Sequence, residues 1–221
     1  MSRTASYDRA DALQAAMELF WAKGYHDTSM KDLERALSLR PGSIYAAFQS
    51  KEALFREALE RYSAQMEANL LALVNDSPSP LIALRMHLIS LSDLRPADRP
   101  SSACMLVKSL LEVPGDGKLR DLILGHLDQI EGVISKVLQK AQLARELPVD
   151  ADLDRLAIRI QTYIFGLKIQ AQRQIDPQKM RLLCLDLAEE LHALSPDCAA
   201  ITPLRTGETP VSAGKMVVTE R

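Results

Sequence analysis

The sequence predicts an all-α protein of about nine helices, and three observations predict it. Leucine and alanine abound, while aromatic residues make up only 5% of the chain. Strand-type runs of Val, Ile and Thr are almost absent, so the composition gives little support to a sheet. Apolar residues recur at three- and four-residue spacing as far as Leu194, the period of a helix with a buried face. With 47% apolar residues in 221, the chain can bury a sizeable core, as one large unit or two small ones.

A first helix is expected from about Asp8 to Lys23, because Leu13, Ala16, Met17 and Phe20 share one face. Gly24 is placed to stop it. Thr28 or Ser29 then caps a second helix, Met30 to Leu37, with Leu33 and Leu37 inward. Ser38 and Leu39 make a turn. Pro41 opens a third helix where its missing N–H costs nothing. Ile44 and Phe48, four apart, anchor that helix from below. Ser50 begins a fourth helix that reaches about Val74. Leu54, Phe55, Leu59, Tyr62, Met66 and Leu70 form its apolar stripe, and the pairs Glu52–Glu57 and Arg56–Arg61 pattern its exposed side.

Asn75 to Pro80 reads as a linker, and Pro80 opens a fifth helix that runs to about Leu94. Residues 95–102 read as a loop. A short apolar helix, Ala103 to Val113, ends at the Pro-Gly-Asp-Gly run 114–117. A seventh runs from Lys118 to about Leu143 on Leu122, Ile123, Leu127, Ile130, Ile134, Val137 and Leu138. The last two, Asp152 to about Gln174 and Pro177 to Leu194, are apolar on more than one side. Ile158, Phe165 and Ile169 lie off the first one's main stripe, and Leu182 and Leu185 off the second's. Such helices must be covered on several sides. They are either central to a monomeric core or, as preferred here, the seam of a homodimer over 152–194. Beyond Ser195 the periodicity fails, and spaced Pro and Gly read as a mobile tail, 195–221.

Composition excludes several classes. The formal charge is −2, and the first 66 residues balance nine Lys/Arg against nine Asp/Glu. A polyanion would therefore have to be attracted by placement of charge rather than bulk basicity. Three cysteines, Cys104, Cys184 and Cys198, with no secretory leader suggest free thiols in a reducing cytoplasm. No apolar run of about 18 residues is present to span a membrane. No nucleophile–base pair, carboxylate pair or ligand-spaced His/Cys/Asp cluster points to an enzyme, a metal or a cofactor. Gly115 to Lys118 faintly evokes a phosphate loop but lacks the strand before it, and reads as a turn.

The stretch Lys23 to Phe55 carries the functional signal. It places two short helices around a tight turn, framed by a longer helix on each side. The second short helix is about two turns long, with small and polar residues on one side, a shape suited to a groove. Residues 28–55, TSMKDLERALSLRPGSIYAAFQSKEALF, carry a resemblance to the N-terminal DNA-binding domain of the TetR family of transcriptional regulators that covers about residues 8–62. The resemblance implies an N-terminal three-helix helix-turn-helix domain, 6–66, with the motif at 29–48. It also implies a C-terminal helical ligand-binding and dimerisation domain, 75–194.

It further implies roles residue by residue. Thr28 and Ser29 would offer N–H and hydroxyl groups to a phosphate. Lys31 would reach a phosphate or a base edge. Arg40, Pro41, Gly42 and Ser43 open the recognition helix. Arg40 is the candidate for a guanine contact, and Gly42 lets the backbone approach the groove floor. Tyr45 would place its hydroxyl on a phosphate, and Lys51 would neutralise another. The bland alternatives are that Thr28, Ser29 and Ser50 only cap helices, that Tyr45 is a core-edge residue and that Lys31 and Lys51 are solvated. Ser38 stands where the family often has Gly, Arg40 where it often has Ser or Asn, and Ala47 where His is frequent.

The segment SACMLVKSLLEV, 102–113, resembles the sixth helix of a TetR branch that carries a cysteine near its ligand cavity. Cys104 is then a candidate redox or electrophile sensor, its pKa lowered by Lys108 one turn on, or else a small buried residue. His87 and His126 are candidates to line a pocket and touch a polar ligand. The implied molecule is a homodimeric repressor of double-stranded operator DNA, released by a small-molecule or reactive effector. Its half-sites would lie about 34–36 Å or more apart. An all-helical enzyme and a helical scaffold are the rival readings.

Overall fold

A computed structural model describes residues 8–94, 100–113, 115 and 117–195. Most of the expected 95–102 loop and the expected tail lie outside them. Among the described residues there are nine α-helices and no strand.

Helix α1 (Arg9–Lys23) starts at Asp8, whose carboxylate accepts the Ala10 N–H, and stops at Gly24 with φ +92° and ψ 170°. That backbone region is essentially confined to glycine. Helix α2 (Met30–Leu37) begins in a reciprocal capping box: the Ser29 hydroxyl accepts the Asp32 N–H, and the Asp32 carboxylate accepts the Ser29 N–H. Ser38 turns the chain in the left-handed region, φ 53°. Helix α3 (Pro41–Phe48) follows with Pro41 in its first turn, and α4 (Lys51–Asn75) is capped by Ser50.

Helix α5 (Pro80–Ser90) ends earlier than the expected Leu94 and tightens into a 3-10 turn over Leu91–Asp93. The Ser90 hydroxyl donates to the His87 carbonyl there, competing with the helical ladder. Helix α6 (Met105–Glu112) is shorter at both ends than Ala103 to Val113. The Ala103 N–H is already satisfied outside a helix, by Ser101 Oγ and Gln172 Oε1, so the chain stays extended until Cys104. Helix α7 is Lys118–Leu143, as expected. Helices α8 (Leu153–Gln172) and α9 (Pro177–His192) each stop two residues short of the expected ends. For α8, Gln174 takes a left-handed φ of 54° that no helix continues through.

Two apolar cores form. The first gathers Met17, Phe20, Leu33, Ile44, Phe48, Phe55 and Tyr62 from α1 to α4. Phe20 and Phe55 meet edge to face at 4.9 Å, a favoured aromatic geometry. This core does not end with α4, because Cys104, Met105, Leu106 and Ile123 belong to it. The second holds Leu84, Leu88, Ile134, Leu138, Ile160, Leu167 and Leu191 from α5 and α7 to α9. Leu54 to Tyr62 of α4 lie in the first core and Leu70 and Val74 in the second, so α4 is a strut between them. No described helix is long and apolar enough to cross a membrane.

Candidate nucleic-acid interface and internal cavity

Helix α3 is seated by two side chains, Ile44 and Phe48, each 1% exposed. The arginine Arg9 covers that seat from outside: its guanidinium lies 4.7 Å from the Phe48 ring centre and pairs with Glu57. Seating one face leaves the other free. Arg40, Pro41, Gly42, Ser43 and Tyr45 are all exposed, as are Ser29 and Lys31 at the start of α2. A Cβ at Gly42 would meet nothing within 4 Å. The fold itself thus has no need of a glycine there.

One expected contact is corrected. Thr28 is fully buried, and its hydroxyl donates to the Gly24 carbonyl at 2.6 Å. It ties α2 to the end of α1 and is not presented to a ligand. Ser29, by contrast, is exposed at the helix start, where the first-turn N–H groups lack intrahelical acceptors. Lys51 is half-buried, with its ammonium 4.6 Å from the Tyr25 ring centre. Burial pushes its pKa down, while Asp27 and Glu112 pull it back up. Asp32, which would repel a phosphate at α2, is neutralised by Lys23 at 2.8 Å. Its hydrogen bonds with Lys23 and Ser29 hold its carboxyl well below the usual range.

Of the four sensor candidates, two come together. Cys104 and His87 line a small enclosed cavity of ≈ 30 Å³, with Met66, Gln161, Phe165 and Lys168. Lys108 is not there. Its ammonium donates to the Trp21 and Ala22 carbonyls at 2.7 and 3.0 Å, closing the C-terminal end of α1, so it is not turned to activate Cys104. His126 is buried but does not line this cavity. Cys184 is buried in the second core, and desolvation, with Asp93 adding to it, pushes its thiol up to about 11; such a thiol is unreactive. A larger hollow of ≈ 480 Å³ beside Arg155 and Leu194 holds none of the expected residues. No group of three metal-ligating side chains occurs among the described residues.

Residues 12–58 match the family described as "Bacterial regulatory proteins, tetR family". The HTH-type transcriptional repressor ComR of Escherichia coli K12 is 28% identical over 179 residues, spanning 79% of this chain and 84% of ComR. The TetR-family regulator CifR, solved as a cysteine mutant with 26 bp operator DNA, superposes at a TM-score of 0.74 and 28% identity. That match covers 88% of this chain and all of CifR. Residues 12–58 form a TetR-family DNA-binding domain. A TetR-family regulator from Cytophaga hutchinsonii, 20% identical with a TM-score of 0.76 over 88% of this chain, shares the fold. TetR-family members of this kind are transcriptional regulators and not enzymes.

Beside this TetR-type domain, sequence reasoning missed the polar joint between the α6 segment and the end of α1. Glu112 Oε2 accepts the Tyr25 N–H at 2.7 Å, and the Glu112 carbonyl lies 3.2 Å from His26 Nε2. Trp21 Nε1 donates to the Ala103 carbonyl at 2.6 Å. It also missed Lys168 and Gln161. Their signal was available: seven apart, they share the α8 face that carries Ile164.

Proposed function

We propose that this chain binds operator DNA as a homodimer and represses transcription until an effector releases it. The observation that carries this reading is the exposure of Arg40, Pro41, Gly42, Ser43 and Tyr45 on a helix whose buried side chains are Ile44 and Phe48. It fits a helix laid in a major groove, with Arg40 toward a base edge. Ser29, Lys31, Tyr45 and Lys51 fit phosphate contacts. CifR, solved on its operator, and ComR, named a repressor, support the same reading. In this scheme residues 6–66 read DNA, 75–194 take the effector and dimerise, and the protein works in the cytoplasm.

The dimer reading is supported by apolar side chains left exposed on the last two helices, Ile158 at 52%, Ile169 at 43% and Leu182 at 60%. The effector is placed at the Cys104 cavity, where it favours a subunit spacing that no longer matches the half-sites. A reactive effector would instead modify Cys104 on that wall. Alkylation mass spectrometry separates the two: DNA release with Cys104 unmodified removes the covalent route.

Fluorescence anisotropy on a site selected from a random DNA pool tests the whole proposal. Arg40→Ala is expected to cost about 1–3 kcal/mol and relax preference at one base position. Tyr45→Phe should weaken binding evenly across sequences. A scaffold that retained the motif without using it would ignore both changes.

A further inference from the structure

We infer that the cavity walled by Cys104 recognises an anionic effector head group, with Lys168 as its counter-charge. This rests on the reading of that cavity as the effector site. Lys168 lies in the middle of α8 and is 5% exposed. Burying an ammonium is costly beside the apolar side chains of Leu70, Ile134, Ile164 and Phe165 in that wall. The side chain reaches Met66 Sδ at 4.0 Å, a weak acceptor, and has further contact within the protein. It is therefore a cation fixed in place at the cavity.

The rest of the wall has matching polarity. His87 adds an imidazole, and among the described lining residues there is no Asp or Glu. The Gln161 amide nitrogen donates to the Leu127 carbonyl at 2.9 Å, which fixes that side chain in the wall. Helix α6 also begins here. Cys104 is its N-cap and forms no side-chain cap, so the positive end of the helix adds to the field of the lysine.

The ligand class follows from this lining: a carboxylate or similar oxyanion on a short apolar body. The resting cavity of ≈ 30 Å³ has room for about one water. Binding must therefore move side chains, and Met66, unbranched and adaptable, is the wall that yields.

The test is calorimetry on the full chain with hexanoate and benzoate against hexanamide and benzamide, which match them in shape but carry no charge. Wild-type protein is expected to bind at least one of the acids tenfold or more tightly than its amide. Lys168→Met should erase that preference while still binding the amide and the selected DNA site. Lys168→Arg should keep the preference. Equal affinity for acid and amide, no binding of either acid, or a preference that survives Lys168→Met would overturn the inference. The acid–amide comparison needs no variant, so a variant that fails to fold leaves the test standing. A protein that prefers the acids yet selects no DNA would support this inference and refute the DNA reading, so the two failures are distinguishable.

Discussion

A Cβ at Gly24 would stand 2.1 Å from Glu112 Oε1. The carboxylate can swing aside, but only by releasing the Tyr25 N–H it holds. Gly24→Ala thus combines backbone strain of about 1–3 kcal/mol with a lost charge-assisted hydrogen bond of about 1.5–3 kcal/mol. Urea denaturation should show the sum in wild type and only the strain in a Glu112→Ala background; additive effects would refute the coupling. At Asp32 the sign is set by the depressed folded pKa. The stability it contributes is complete above its ordinary value of 3.8 and is lost as pH falls through the folded value. Asp32→Asn should therefore flatten the acid limb of a pH–stability profile. Legibility at this scale was uneven. Pro41, Ile44 and Phe48 followed from position and spacing alone. Thr28 and Ser29 did not separate, because either side chain can cap a helix. The Gly24 carbonyl, brought overhead by the end of α1, decides between them.

Among the elements, α6 was the least legible. Its apolar period was plain, and Lys108 and Glu112, four apart, were readable as one face. What that face meets is a matter of chain folding, since Trp21 and Tyr25 lie more than eighty residues away. Local pattern carries no such information. In helix α8, Gln161 and Lys168 share a side with the apolar stripe, and spacing alone does not tell a polar group that lines a cavity from one that is solvated. The Lys108 ammonium supplies the last carbonyls of α1 with donors that the helix itself lacks. Lys108→Met should destabilise the fold by about 1–2 kcal/mol. Hydrogen exchange should quicken first at the α1 terminus; exchange that quickens only in α6 would count against this cap.

For the whole molecule, the prediction concerns assembly and attraction. Leu182→Glu places a charge at an exposed apolar position of α9. It should leave the monomer folded while shifting sedimentation to half the mass and sharply weakening DNA binding. Unchanged sedimentation would exclude this face as the seam. With a net charge of −2, attraction to DNA must be local, yet affinity should still fall steeply with salt. Lys31→Ala should lower that log–log slope by about one. The first apolar core bears on a different matter, the making of hybrid regulators. Cys104, Met105, Leu106 and Ile123 fill it along with the four leading helices. A graft cut after residue 66 would leave a hole where those side chains belong, and would confront them with a foreign surface. The transplantable reader is thus discontinuous in sequence: its last pieces are lent by the part of the chain that would be exchanged.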